Sequence, residues 1–260
     1  MAPRNQTQAA VLLWPARRLP FEIGAGEVHL WAWGFAGSST LAGEDLRTED
    51  LRTEDLRILD DRERARTARF HFLPDRIRYS VCHANMRRIL GSYLDMPPES
   101  LLFREGAGGK PELDGVVEVR FNLSHSKSVA VLGVALGMEI GVDVEDIHPI
   151  ETGVAERFFS AAELARLRGL RGTEWLDGFY RCWTRKEAIL KGEGVGLRIP
   201  LDSFDVSLLA DEPTALLAAR PESKLRVGWR LHALAAAEGT MGALAVDHPD
   251  VRLCMSSFSG

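Results

Sequence analysis

Residues 116–147 limit most strongly what this chain can fold into, because three strand-like runs follow one another there with only short polar turns between them. VVEVRFNLSHS (116–126), VAVLGVAL (129–136) and MEIGVDVEDI (138–147) are rich in β-branched residues, as strands are. Long helical stretches lie on both sides. DRIRYSVCHANMRRILGSYL (75–94) carries Ile77, Val81, Met86, Ile89, Leu90 and Tyr93 in helical register, after Pro74 and before Pro97-Pro98, which predicts a helix of about five turns. FFSAAELARLRGL (158–170) and TEWLDGFYRCWTRKEAILKGEG (173–194) read as helices, the latter stopped by glycines 192, 194 and 196. A strand over Val28–Trp33, a helix through Asp60–Phe70 and strands over Phe204–Leu208, Val227–Ala235 and Met241–Val246 complete the outline. Each half supplies strands and long helices, an α+β pattern.

At 260 residues the chain is one large domain or two small halves, and 45% hydrophobic with 27% charged residues is the composition of an ordinary globular protein. A formal charge of −5 argues against nucleic acid as a partner held by a strong positive field. The apolar run Ala9 to Trp14 is too short for a secretory core, and no run approaches the roughly 18 apolar residues that span a membrane. No membrane partner, a cytoplasmic location and a monomer are the expectations. Cys82, Cys182 and Cys254 are far apart with no Cys-x-x-Cys pair, and read as reduced, small hydrophobic residues.

Residues 44–57, EDLRTEDLRTEDLR, are near-perfect copies of a five-residue unit. Five residues advance a helix by about 500°, so Leu46, Leu51 and Leu56 drift around it and form no common stripe. The segment reads as a low-complexity expansion, helical or frayed, without direct function.

The chemistry concentrates further on. In GVDVED, Asp143 and Glu145 are two apart, so a strand points both carboxylates to one face, where they repel unless a cation sits between them. Magnesium takes such oxygen ligands. On the helix WTRKEAILKGEG, Trp183, Glu187 and Lys191 recur every four residues on one face and add a carboxylate and an ammonium, with Lys186 a second lysine beside them. Together these suit a metal-assisted phosphoryl or phosphodiester reaction. Glu163 is a further acidic candidate, although after Ser160 it also reads as an ordinary helix-start residue. The turn NLSHS offers Ser124 and His125, and the loop GGKP offers Lys110, as donors to phosphate oxygens. No Walker or dinucleotide glycine motif and no G-x-S-x-G elbow is present.

GKPEL, FNLSHS, GVDVED, FFSAAE and WTRKEAILKGEGVGL stand in the order and approximate spacing of the surfactin-synthetase type of 4'-phosphopantetheinyl transferase, which the chain resembles over roughly Arg66 to Pro249. The resemblance implies a pseudo-dimer of two similar α+β halves, with coenzyme A and Mg2+ in the cleft between them. The halves would be residues 1–138 and 139–250, the second carrying the metal carboxylates, with 251–260 a peripheral tail. It implies metal ligation by Asp143, Glu145 and Glu187. Lys191, with Lys186 nearby, would contact the pyrophosphate, and Lys110, Ser124, His125, Arg78 and Arg66 would hold the adenosine end and its 3'-phosphate. Glu187, or Glu163, would help to remove the proton of the accepting serine on an apo acyl or peptidyl carrier protein. The family often has basic residues where RERARTARF places Glu63, and the EDLRT repeat is foreign to its pattern. A magnesium-dependent phosphohydrolase would share the carboxylates but need no carrier protein, and a non-catalytic carrier-binding module would not need the intact carboxylates.

Overall fold

A computed structural model describes residues 12–16, 22–35, 53–115, 118–226 and 228–258. In chain order β1 (Glu27–Gly34) precedes three helices, α1 (Thr53–Ile58), α2 (Asp61–Arg69) and α3 (Leu73–Leu94). Strands β2 (Phe103–Glu105), β3 (Pro111–Leu113), β4 (Val119–His125), β5 (Val129–Leu136) and β6 (Ile140–Asp146) follow. The second helical run is α4 (Thr152–Phe158), α5 (Ala161–Leu167) and α6 (Gly172–Glu193), and the chain ends with β7 (Phe204–Val206), β8 (Leu216–Ala219), β9 (Arg230–Leu234), β10 (Thr240–Val246) and β11 (Arg252–Ser257). None of the described helices is long and apolar enough to cross a membrane.

Two sheets organise these elements. One has the order β11-β1-β5-β4 and the other β6-β10-β9. The alternation predicted for VHLWAW sends Val28, Leu30 and Ala32 to one face, where they join Ile140, Val142, Val144, Leu244 and Val246 of the second sheet in a shared core. Trp31 and Trp33 go to the other face, against Ile77, Met86, Ile89 and Leu90 of α3. On the far side of the second sheet, Ala243 and Ala245 meet Phe179, Cys182, Ile189 and Leu190 of α6. The layers therefore run α3, sheet, sheet, α6. Burying each of these large side chains contributes roughly 1.5–3 kcal/mol before the entropic costs of ordering it.

Several expectations change. Within the expected tail 251–260, the described residues Arg252–Ser257 form β11, which lies parallel to β1 with Glu27 opposite Arg252 and His29 opposite Cys254. Its alternating residues meet the unpaired edge of β1, and a free strand edge offers a row of hydrogen-bonding groups that adding a strand satisfies. The helix read over 158–170 is two, since Phe158 closes α4 and Ser160 caps α5 in an extended conformation. The first two copies of the EDLRT unit fall mostly outside the described residues. The third opens α1 and does pack, through Asp55, whose carboxylate is fully buried 2.7 Å from Arg88 of α3.

Candidate active site

The two sheets meet where β4 lies beside β6. No backbone ladder joins these strands. Instead the Val142 N–H donates to Asn122 Oδ1 at 2.8 Å and the Val144 N–H to Ser124 Oγ at 3.2 Å. Ile140, Val142 and Val144 point into the intersheet core, so Gly141, Asp143 and Glu145 point to α6. Gly141 is what lets the helix come close, because a Cβ there would lie 2.0 Å from the Ala188 carbonyl oxygen. With helix and strand in contact at Gly141, the alternating strand and the four-residue step of the helix set Asp143 near Lys191 and Glu187, and Glu145 near Trp183.

Asp143 is 3% exposed. Its Oδ1 accepts from Lys191 Nζ at 2.7 Å and from Ser124 Oγ at 3.2 Å, and Lys191 also donates to Ser124 at 2.8 Å. Its Oδ2 is buried with no hydrogen-bond partner among the described residues. An anionic oxygen in that condition is costly unless a cation or donor reaches it. Glu145 is pushed up to about 7 by burial and then by the Asp143 charge, with Lys191 and a hydrogen bond to Trp183 acting in the opposite direction. Burial and Asp143 likewise raise Glu187. One ammonium, Lys191, faces Asp143 and the two glutamates that the Asp143 charge repels.

Two cavities flank this node. Asn122 and Leu123 line one of about 230 Å3 together with Lys110, Glu187, Lys191 and the glycine loop. His125 and Ser126 line the other, of about 240 Å3, with Arg78, Lys127, Glu145 and His148. His125 is exposed at the end of β4, yet desolvation by the protein crowded beside it, and then the charges of Arg78, Lys191 and His83, hold its pKa below the ordinary value. Arg78 reaches this cavity from α3, its Nη1 bonded to Asp75 at 2.7 Å. A larger cavity, about 690 Å3, lies between α4, α5 and the start of α6, away from the three carboxylates.

Five of the residues read from the sequence are differently employed. Glu163 is 1% exposed and both its oxygens are engaged: Oε2 takes the Ser160 N–H at 3.0 Å and Lys186 Nζ at 2.8 Å, and Oε1 takes the Val206 N–H at 2.8 Å. It is the closing residue of a capping box, not a base in the cleft. Lys186 is fully buried, donates to the carbonyls of Leu201 and Phe204 at 2.6 and 2.5 Å, and sits over the Phe204 ring, so it is no phosphate contact. One residue along a helix is a turn of about 100°, enough to put Lys186 inside and Glu187 in the cleft. Lys110 binds Glu139 at 2.9 Å and the carbonyls of Ile140 and Gly192 at 2.9 and 3.2 Å, and burial lowers its pKa. It ties the glycine loop to the start of β6 and the end of α6, positioned by Gly108, whose φ of +73° and tight contact with the Gly194 carbonyl exclude a side chain. Ser124 spends its hydroxyl on Asp143, Lys191 and Val144. Arg66 is exposed on α2 and lines neither flanking cavity.

The sequence reading missed Asn122, Glu139 and Asp146. Asp146 accepts the backbone N–H groups of Lys127 and Ser128 at 2.9 and 3.2 Å and so shapes the turn carrying His125. Its position beside Glu145 was a signal, but no local pattern reveals which turn a strand-end carboxylate will cap.

The family model described as the 4'-phosphopantetheinyl transferase superfamily matches residues 139–237, the stretch that holds all three carboxylates and Lys191. The chain is 35% identical over 193 residues to the 4'-phosphopantetheinyl transferase HetI of Nostoc sp., covering 72% of this chain and 78% of that one. It is 36% identical over 152 residues to the 4'-phosphopantetheinyl transferase ffp of Bacillus subtilis, 58% of this chain and 66% of that one. It is 31% identical over 153 residues to Sfp of Bacillus subtilis strain 168, 59% and 68% respectively.

Proposed function

Because the chain belongs to the 4'-phosphopantetheinyl transferases, of the surfactin-synthetase type, we propose that it moves the 4'-phosphopantetheine arm of coenzyme A onto a serine of an apo acyl or peptidyl carrier protein, with Mg2+, releasing 3',5'-ADP. The observation that carries the reading is the cluster of Asp143, Glu145 and Glu187 around Lys191, with one buried oxygen of Asp143 unpartnered.

The donor set fits Mg2+: three carboxylates, two of them raised by burial and then by the Asp143 charge, are hard oxygen ligands that a divalent cation relieves. When bound, the metal neutralises charge on the pyrophosphate of coenzyme A. Lys191 holds Asp143 in place and offers its remaining hydrogen-bonding capacity to the phosphate that departs. Arg78 and His125 line the adjoining cavity and would hold the adenosine end, and Lys110 shapes the other cavity from behind. Of the two candidate bases, Glu187 lines a cavity and Glu163 does not, so Glu187 is the group to receive the serine proton.

We further propose that the two halves, 1–138 and 139–250, are copies of one α+β unit, with the strand in 251–260 returning to the first. A repeated ion pair between a capping-box glutamate and the following long helix, Glu63–Arg87 and Glu163–Lys186, supports this. Incubating apo carrier proteins with enzyme, coenzyme A and Mg2+ should raise the carrier mass by one phosphopantetheine. Carriers that stay unmodified while the folded enzyme binds coenzyme A would overturn the assignment.

A further inference from the structure

A second group of ligand-bearing side chains lies away from the carboxylates, on the first sheet. Glu27 and His29 are two apart on β1 and so share a face, and Cys254 of β11 stands directly opposite His29. A carboxylate oxygen, an imidazole nitrogen and the thiol sulfur fall within 4.8 Å of one another, and among the described residues this is the one such trio. They line a cavity of about 350 Å3, together with Glu22 and Arg252.

The site is built around the histidine. His29 is 2% exposed, its Nε2 faces Glu27 Oε2 at 3.1 Å, and its Nδ1 is 2.6 Å from the hydroxyl of Tyr93 at the end of α3. The same hydroxyl accepts from Trp31 Nε1 at 2.9 Å, which fixes its position. A metal-bound histidine characteristically gives its other ring N–H to an oxygen that orients the ring, and Tyr93 is placed to be that oxygen. Glu27 Oε2 also takes the Gly24 N–H at 3.2 Å, while Arg252 pairs with Oε1. That leaves Oε2 as the ligand oxygen on the side of His29.

From these contacts we infer that Glu27, His29 and Cys254 form a site for a borderline-soft divalent cation of the Zn2+ class, which ties the C-terminal strand to β1. Sulfur, nitrogen and oxygen are each ordinary zinc ligands, and water from the cavity completes four-coordination. The thiol and imidazole make the set a poor one for Mg2+, which separates it from the carboxylate cluster. On binding, an S–Zn bond replaces the S–H bond and that proton goes to solvent. The imidazole stays neutral, with its proton on Nδ1 toward Tyr93.

Co2+ added to chelator-treated full-length protein is the direct probe. One equivalent should produce a thiolate-to-cobalt charge-transfer band, which Zn2+ abolishes and excess Mg2+ does not. Cys254→Ser should remove the band and the rise in melting temperature that Zn2+ gives the wild type. Tyr93→Phe should keep the band and weaken Zn2+ about 10- to 100-fold, the usual scale for losing an orienting partner. Asp143→Ala should leave the band in place. Absence of a thiolate band in the wild type, or a band that survives Cys254→Ser, overturns the site. Zinc whose binding is lost in Asp143→Ala and kept in Cys254→Ser puts the metal at the carboxylates and overturns it equally.

Discussion

The helix pair α2–α3 in the first half and the pair α5–α6 in the second are built on one device and put to different use. Each short helix opens with a capping box, Asp60 with Glu63 and Ser160 with Glu163. Each closing glutamate is then buried against a cation of the long helix: Glu63 lies 2.7 Å from Arg87, and Glu163 lies 2.8 Å from Lys186. Both cations are fully buried and also donate to backbone carbonyls, Arg87 to Pro98 and Leu101, Lys186 to Leu201 and Phe204, while Arg87 Nη2 pairs in addition with Asp60 Oδ2 at 2.8 Å. Pinning one residue fixes the rotation of a 22-residue helix about its axis. On α6 that rotation turns Trp183, Glu187 and Lys191 to β6. On α3 the next polar residue on the pinned face, His83, goes to Glu63 at 2.8 Å, and only Arg78 reaches a cavity beside the carboxylates. The difference teaches that the ion pair is architecture, present on both long helices, whereas only the second brings a carboxylate and an ammonium to the pair on β6.

Breaking the device should give the largest effect. Removing one partner of a buried pair leaves an uncompensated charge, so Lys186→Met and Arg87→Met should each cost about 3–5 kcal/mol in urea unfolding. If the pairs are equivalent, the two losses will agree within the scatter of such measurements. Glu163→Gln sharpens the point: loss of turnover at wild-type stability would restore Glu163 as the base and sink its structural assignment.

Next in size is the chemistry carried by α6 alone. Glu187→Gln should lower turnover by at least about 100-fold, the scale for losing a preorganised charge at a reacting centre. Its stability near pH 7 should hold or rise. The raised pKa means that folding disfavours the charged carboxylate, and the amide removes that burden. A kcat within a few-fold of wild type would take Glu187 out of the site.

The smallest effects belong to the EDLRT repeat, whose described end, in α1, meets α3 through Asp55 and Arg88. Asp55→Ala should destabilise by about 1–3 kcal/mol, because Arg88 loses a buried charged partner. Deleting residues 44–48 should change stability by less than about 0.5 kcal/mol. The copies that remain still end in the same EDLR before Ile58, so the buried aspartate is kept. A large drop in melting temperature on that deletion would show that the earlier copies pack as well.

Much of this is legible in the sequence. Strand alternation and helix periodicity located β1, β4, β5, β6, α3 and α6, because these patterns follow from local geometry and from which faces must be buried. The order of GKPEL, FNLSHS, GVDVED, FFSAAE and WTRKEAILKGEG pointed to the family, and the i, i+2 and i, i+4 spacings put Asp143, Glu145, Glu187 and Lys191 on facing surfaces. The sequence could not say that Lys186 and Glu163 neutralise each other inside the second half, since the carbonyls that hold the lysine arrive from residues 201 and 204. Nor could it say that Lys110 would be captured by Glu139 and the end of α6, or that the last strand would close the edge beside β1. Local pattern determines an element and its buried face. Which partner satisfies a charged group on that face depends on residues brought there by the rest of the chain, because a buried ionic group is stable only where distant donors and acceptors converge on it.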